Sequence, residues 1–247
     1  MGRLLRLLAL LPALAMAQPE PLAPAADDVV MLLHGMGRTR WSLALLERDL
    51  RRAGYSVVNA TYPCRRLDIA RLSREWLAPR VAAAVPPGGR VHFVTHSLGG
   101  ILVRQFAADH PEAPIGRVVM LAPPNQGSEL SDWMARWTIP RWWTGPALRE
   151  LGTGPEAVPN RLGPAPFACG VLAGDRSLNP LFSLLFDGPN DGKVSVARTA
   201  LSGMADRRVL PYSHTWLMNR QDCRREVLHF LRTGRFSPPD PSSGAPG

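Results

Sequence analysis

One hexapeptide constrains this chain more than any other stretch: Thr95-His96-Ser97-Leu98-Gly99-Gly100. The apolar run Val91 to Thr95 leads into it, and Ile101 to Ala108 leaves it with helical spacing. A serine between such a strand and such a helix, with glycines just behind it, reads as a tight turn that holds a hydroxyl out at the edge of a sheet. The motif is short, so the strand before it and the helix after it carry the inference. Ser97 is therefore the candidate nucleophile, and the chain should build an α/β sheet around it.

The flanking sequence is consistent with that sheet. Asp28 to His34 is a continuous apolar run bounded by turn residues, which suits a buried strand. Ser42 to Ala53 has helical spacing through Leu43, Leu46 and Leu50 and stops at Gly54. Tyr55 to Tyr62 returns to strand-forming residues, and Ile69, Leu72, Trp76 and Val81 mark another helix face. Arg90 to Thr95, Arg117 to Ala122, Ala168 to Ala173 and Arg208 to Leu210 are the remaining predicted strands, and Thr215 to Leu231 is the predicted closing helix. Strands alternating with helices predict a mostly parallel sheet covered on both faces. Periodicity fails from Pro123 to Pro166, a stretch holding Trp133, Trp137, Trp142 and Trp143. A segment this long after the strand that ends beside Ser97 predicts a small cap or lid over about 124–166, with a short amphipathic helix at Leu130 to Trp137. Trp133 and Trp137 are then candidate substrate contacts, although tryptophans in such an insertion can equally bury its own small core.

The two ends read differently. Arg3 and Arg6 precede the apolar stretch Leu7 to Leu14, and Ala15-Met16-Ala17 has the small residues of a cleavage site. That stretch is short for a bilayer core of ~30 Å, so residues 1–17 predict a cleaved signal peptide and a periplasmic or secreted protein. The folded domain is expected over residues 18–236, with a disordered Pro/Ser/Gly tail over 237–247. Loss of two arginines with the leader takes the formal charge from +9 to +7. Arginines are scattered and Lys193 is the only lysine, so no basic block points to nucleic acid. Transient contact with a membrane surface is compatible with this charge. Cys64, Cys169 and Cys223 allow one disulfide and a free thiol, or three buried thiols.

A serine hydroxyl needs a base and a group that orients the base. On this kind of turn the order along the chain is serine, acid, histidine. His34 comes too early, His92 and His96 belong to the strand and turn at the serine, and His110 and His229 fall in or at the ends of helices. His214, between the last strand and the last helix, is the candidate base. Asp191, Asp175 and Asp187 all stand between serine and histidine, and each could be a plain turn residue. An oxyanion hole needs the N–H of Leu98 and a second N–H from the early loop His34-Gly35-Met36-Gly37, where Met36 is the natural donor. There is no His-Glu-x-x-His pattern, no zinc spacing of cysteines and no phosphate-cradling loop, so neither metal nor cofactor is expected.

Leu33-His34-Gly35-Met36-Gly37, Thr95 to Gly100, Ala122 to Ser128, Asn190-Asp191-Gly192-Lys193-Val194 and Ser213-His214 together resemble the α/β-hydrolase fold. The likeness runs from about Asp28 to Phe236 and is to the bacterial lipase and esterase group related to triacylglycerol lipases and PGAP-type lipid deacylases. It implies Ser97 as nucleophile, Asp191 as acid, His214 as base, and Met36 with Leu98 as the oxyanion hole. Thr95 departs from the pattern, standing where Gly-x-Ser-x-Gly has its first glycine. The expected activity is hydrolysis of a small-molecule ester or lipid with an apolar acyl chain through an acyl-enzyme. An acyltransferase or thioesterase would use the same residues, and a hydrolase fold that binds a lipid or partner without turnover is the non-enzymatic alternative.

Overall fold

The computed structural model of the protein describes residues 27–137, 144–178 and 183–238. The expected leader, Trp142, Trp143 and residues 239–247 of the expected tail lie outside the described residues. Six strands, β1 (Val29–Leu33), β2 (Ser56–Asn59), β3 (Val91–His96), β4 (Ile115–Leu121), β5 (Ala168–Gly174) and β6 (Asp206–Leu210), form one wholly parallel sheet. The helices in chain order are α1 (Ala44–Arg52), α2 (Ile69–Arg71), α3 (Ala78–Ala84), α4 (Leu98–Asp109), α5 (Glu129–Arg136), α6 (Pro146–Arg149), α7 (Val158–Arg161) and α8 (Gln221–Thr233), with a π-helical turn Leu72–Leu77 joining α2 to α3.

Every residue of β1 and β3 is buried, as continuous apolar runs require when helices cover both faces of a parallel sheet. Alternation along the strands divides the core in two. Met31, Leu33, Phe93, Val118, Met120 and Val171 pack against the turn Leu72–Leu77 and α4. Val30, Leu32, Val94, Val119, Leu121 and Leu172 pack against α1 and α8. The three cysteines are free thiols buried in these layers, which settles the open disulfide question in favour of unpaired sulfur.

The strand order is β2-β1-β3-β4-β5-β6. From β1 the chain first builds outward to β2, then returns and builds the other way from β3. In open α/β sheets that reversal opens a crevice at the carboxyl ends of the two strands concerned. Here Leu33 at the end of β1 is paired in register with Thr95 near the end of β3, so the loop from His34 lies beside the turn at Ser97.

Two expectations need correction. The closing helix does not begin at Thr215: Leu217–Asn219 is a 3₁₀ turn, Arg220 is extended, and α8 starts at Gln221. The turn at Ser213 diverts the chain, because its carbonyl accepts the N–H groups of both Trp216 and Leu217. Among the described residues, the stretch from Pro123 to Pro166 holds α5, α6 and α7 rather than a single helix. Two of them are four residues long with proline in the first turn, too short to give a periodic signal. This segment is fastened to α4 by Arg104. Its buried guanidinium donates to the carbonyls of Asn125 (2.9 Å), Pro159 (2.8 Å) and Gly163 (2.8 Å), and burial lowers its pKa to about 10.

Candidate active site

Ser97 joins β3 to α4 with φ 53° and ψ −120°, a conformation that L-residues adopt only under strain. The strain persists because its surroundings leave no slack. Its N–H donates to the carbonyl of Leu121 at 2.9 Å. At Gly99 an added Cβ would sit 2.6 Å from the Leu33 carbonyl oxygen, and at Gly35 it would meet His96 Nδ1 at 2.6 Å and Ser97 Cβ at 3.2 Å. The β1 loop and the serine turn thus touch backbone to side chain, which only glycine permits. Thr95 fits for a related reason. Its side chain faces Gly100, where a Cβ would stand 3.4 Å from the threonine Oγ1.

Of the three candidate acids only Asp191 touches His214. Its Oδ2 is 2.8 Å from His214 Nδ1, and both side chains are buried. The other carboxylate oxygen accepts the N–H groups of Lys193 (3.0 Å) and Val194 (2.8 Å), so the turn fixes the acid before it meets the imidazole. With Nδ1–H donating to the carboxylate, the neutral ring keeps Nε2 as an acceptor. Asp175 instead lies beside Arg176 at 3.5 Å, and Asp187 is exposed.

Leu98 is the first residue of α4, where an N–H has no carbonyl one turn back to bind, and Met36 lines the cavity in front of Ser97. The loop carrying Met36 is anchored by His34. That ring stacks on Tyr62 at 4.1 Å and accepts the Tyr62 N–H at 3.1 Å, while the Tyr62 hydroxyl donates to the His34 carbonyl. Burial lowers the His34 pKa, consistent with its acceptor role.

His96 contributes more than sequence order suggested. Its Nε2–H donates to the main-chain carbonyl of His214 at 3.0 Å, and the two rings lie 4.7 Å apart. Complete burial, then the neighbouring His214, push its pKa well below the ordinary value, so it stays neutral and keeps that bond.

Ser97 and His214 open onto one cavity of about 240 Å³. Leu130, Met134, Leu148 and Leu151 from the segment after β4, together with Val194, make its apolar wall. The predicted tryptophans do not line it. Leu130, Ser131 and Met134 occupy the cavity face of α5, whereas Trp133 turns to the adjacent face and Trp137 follows the helix end, 57% exposed. They pack against each other instead, with ring centroids 5.7 Å apart and planes tilted by 55°. Sequence reasoning missed three cations on the cavity rim: Arg38, Arg65 and Lys193. The available signal was Lys193, the single lysine of the chain, standing two residues after Asp191. Among the described residues no cluster of potential ligands could hold a metal ion.

The profile of the Alpha/beta hydrolase family matches residues 30–240. No curated protein matches the chain in sequence. Among solved structures the fold is similar to the mature lipase BlEst2 of Bacillus licheniformis, with TM-score 0.69 and 18% identity over 87% of this chain and 96% of that one. It is also similar to the metagenomic carboxyl esterase MGS0156, with TM-score 0.59 and 22% identity over 82% of this chain and 69% of that one. For lipase B of Aspergillus fumigatus the values are 0.62 and 17%, over 88% of this chain and 55% of that one. At these identities the likeness is one of fold.

Proposed function

The chain belongs to the alpha/beta hydrolase family, and on that premise we propose that it is a serine ester hydrolase acting on esters with apolar acyl chains. One observation carries the reading: a carboxylate holds an imidazole at 2.8 Å beside a serine in strained backbone, on a single cavity. Ser97 Oγ adds to the ester carbonyl as its proton passes to His214 Nε2. Asp191 holds the ring in the tautomer that can accept this proton and stabilises the imidazolium that forms. The N–H groups of Met36 and Leu98 receive the oxyanion. His214 then returns the proton to the departing alcohol oxygen, the ester C–O bond breaks, and the acyl group remains on Ser97. Water, deprotonated by His214, attacks that acyl-enzyme and releases the acid with the serine restored. The apolar wall contributed by the segment after β4, read here as a cap, supports an acyl chain rather than a polar one.

A fluorophosphonate probe tests the nucleophile: wild-type protein should label, and Ser97→Ala should not. Folded wild-type protein that stays unlabelled would favour the binding-only alternative. Ester series of increasing acyl length test the wall, and a preference for acetyl over octanoyl esters would reject the apolar-chain reading.

A further inference from the structure

Three cations meet on the cavity rim, each from a different loop. Arg38 follows β1, Arg65 follows β2, and Lys193 follows the triad acid in sequence. The Arg65 guanidinium lies over Gly37, where a Cβ would meet Nη2 at 2.9 Å, one residue beyond the proposed Met36 donor. No aspartate or glutamate of the described residues lines this cavity. Elsewhere the chain pairs many of its arginines with carboxylates, as in Arg51–Glu47, Arg71–Glu75, Arg198–Glu129 and Arg224–Asp49. Partial burial and then the nearby Arg38 lower the Lys193 pKa, with Asp191 opposing. Like charges focused on one mouth raise the local concentration of anions, and two guanidinium forks beside an ammonium match phosphate oxygens well.

We infer that the site selects anionic amphiphiles: esters whose acyl chain lies on the wall formed by Leu130, Met134 and Leu151, and whose alcohol portion carries a phosphate facing Arg38, Arg65 and Lys193. This names the substrate class of the proposed ester hydrolase and rests on that reading. The apolar wall alone would favour neutral and anionic esters equally. The rim breaks that equality.

Calorimetric titration of folded Ser97→Ala protein tests the inference without turnover. Octyl phosphate should bind about tenfold or more tighter than 1-octanol, and each of Arg38→Gln, Arg65→Gln and Lys193→Gln should reduce that advantage by about two- to fivefold. Added salt should erode it in the Ser97→Ala protein too, a readout that does not depend on the rim variants folding. Equal affinity for the phosphate and the alcohol would overturn the inference, as would an advantage indifferent to salt and to all three substitutions. Inorganic phosphate binding as tightly as octyl phosphate would leave a bare anion site and overturn the joined pocket. Binding to phosphatidylglycerol vesicles without binding to octyl phosphate would make the rim a membrane-docking patch, and would overturn it likewise. Turnover by the wild type of neither monooctanoylglycerol nor its phosphate, with no fluorophosphonate labelling, would count against the ester-hydrolase reading, while the titration still reports on the charged rim.

Discussion

Asp191 and His214 are joined twice, by the 2.8 Å contact between carboxylate and imidazole and by a 3.0 Å hydrogen bond from the His214 N–H to the Asp191 carbonyl. The second bond keeps the two loops together whatever the side chain at 191. Asp191→Asn should therefore leave the fold intact while lowering kcat by as much as ~10⁴, the loss expected when the tautomer is wrong. Asp175→Asn should change kcat by less than about tenfold, since its carboxylate does not touch His214. Steady-state kinetics on one ester for both variants decide this, and a larger loss at 175 would reverse the assignment.

His96 holds the His214 loop through its main chain, so it acts as a positioning residue. His96→Ala should lower kcat by about 10–10² through misplacement of the base, while fluorophosphonate labelling of Ser97 slows without disappearing. His96→Gln, which can still donate to the carbonyl, should recover part of the rate. Unchanged kinetics in His96→Ala would remove it from this role.

The two glycines after Ser97 should behave differently. Gly99→Ala drives a Cβ against the Leu33 carbonyl at 2.6 Å and should destabilise by about 1–3 kcal/mol. Gly100→Ala meets Pro123 Cβ at 3.1 Å and Met120 Sδ at 3.3 Å, and the helix propensity of alanine offsets that crowding, so stability should stay within about 1 kcal/mol. Denaturant melts of the two variants compare them directly, and equal losses would contradict the contact argument.

Replacing Arg104 by leucine leaves the carbonyls of Pro159 and Gly163 without their donor. It should destabilise by about 3 kcal/mol and free the segment after β4 for proteolysis before the rest of the chain. Limited proteolysis with mass analysis reads the order of cleavage; first cuts elsewhere would show that the guanidinium is not what fastens the segment.

Three buried histidines, His34, His92 and His96, have pKa values lowered chiefly by burial. Below the unfolded value of about 6.5 the unfolded chain takes up protons that the folded chain refuses, so stability is full above that pH and falls as pH drops toward the folded values. Each histidine contributes a slope of up to about 1.4 kcal/mol per pH unit in that window, before the carboxylates titrate. The melting temperature should accordingly fall between about pH 6.5 and 5; a flat profile there would contradict the buried neutral state.

Much of this architecture was legible because β1 and β3 are continuous apolar runs, and the serine turn sits between two such clear signals. His214 stood out in the sequence through its order together with its place between the last strand and the last helix, since His229 satisfies the order as well. Choosing among the acids was harder, because sequence does not say which turn folds back. Asp175 leaves β5 with its N–H donated to the Leu210 carbonyl, and its side chain goes to Arg176 rather than to the imidazole. The tryptophans misled because aromatic content says nothing of which helix face meets the cavity. Arg38 and Arg65 were invisible for the opposite reason: single arginines far apart in sequence look like ordinary surface charge until β1 and β2 set their loops side by side.

The reversal of strand order between β1 and β3 has a further consequence. Arg38 arrives two residues past Met36, and Lys193 two residues past Asp191 with its N–H held by that carboxylate. On the proposed reading selectivity and chemistry therefore share two of their loops, and only Arg65 comes from a loop without a proposed reacting group. If the proposal holds, Arg65 is the position where a lineage would exchange one headgroup for another with least disturbance to the proposed triad.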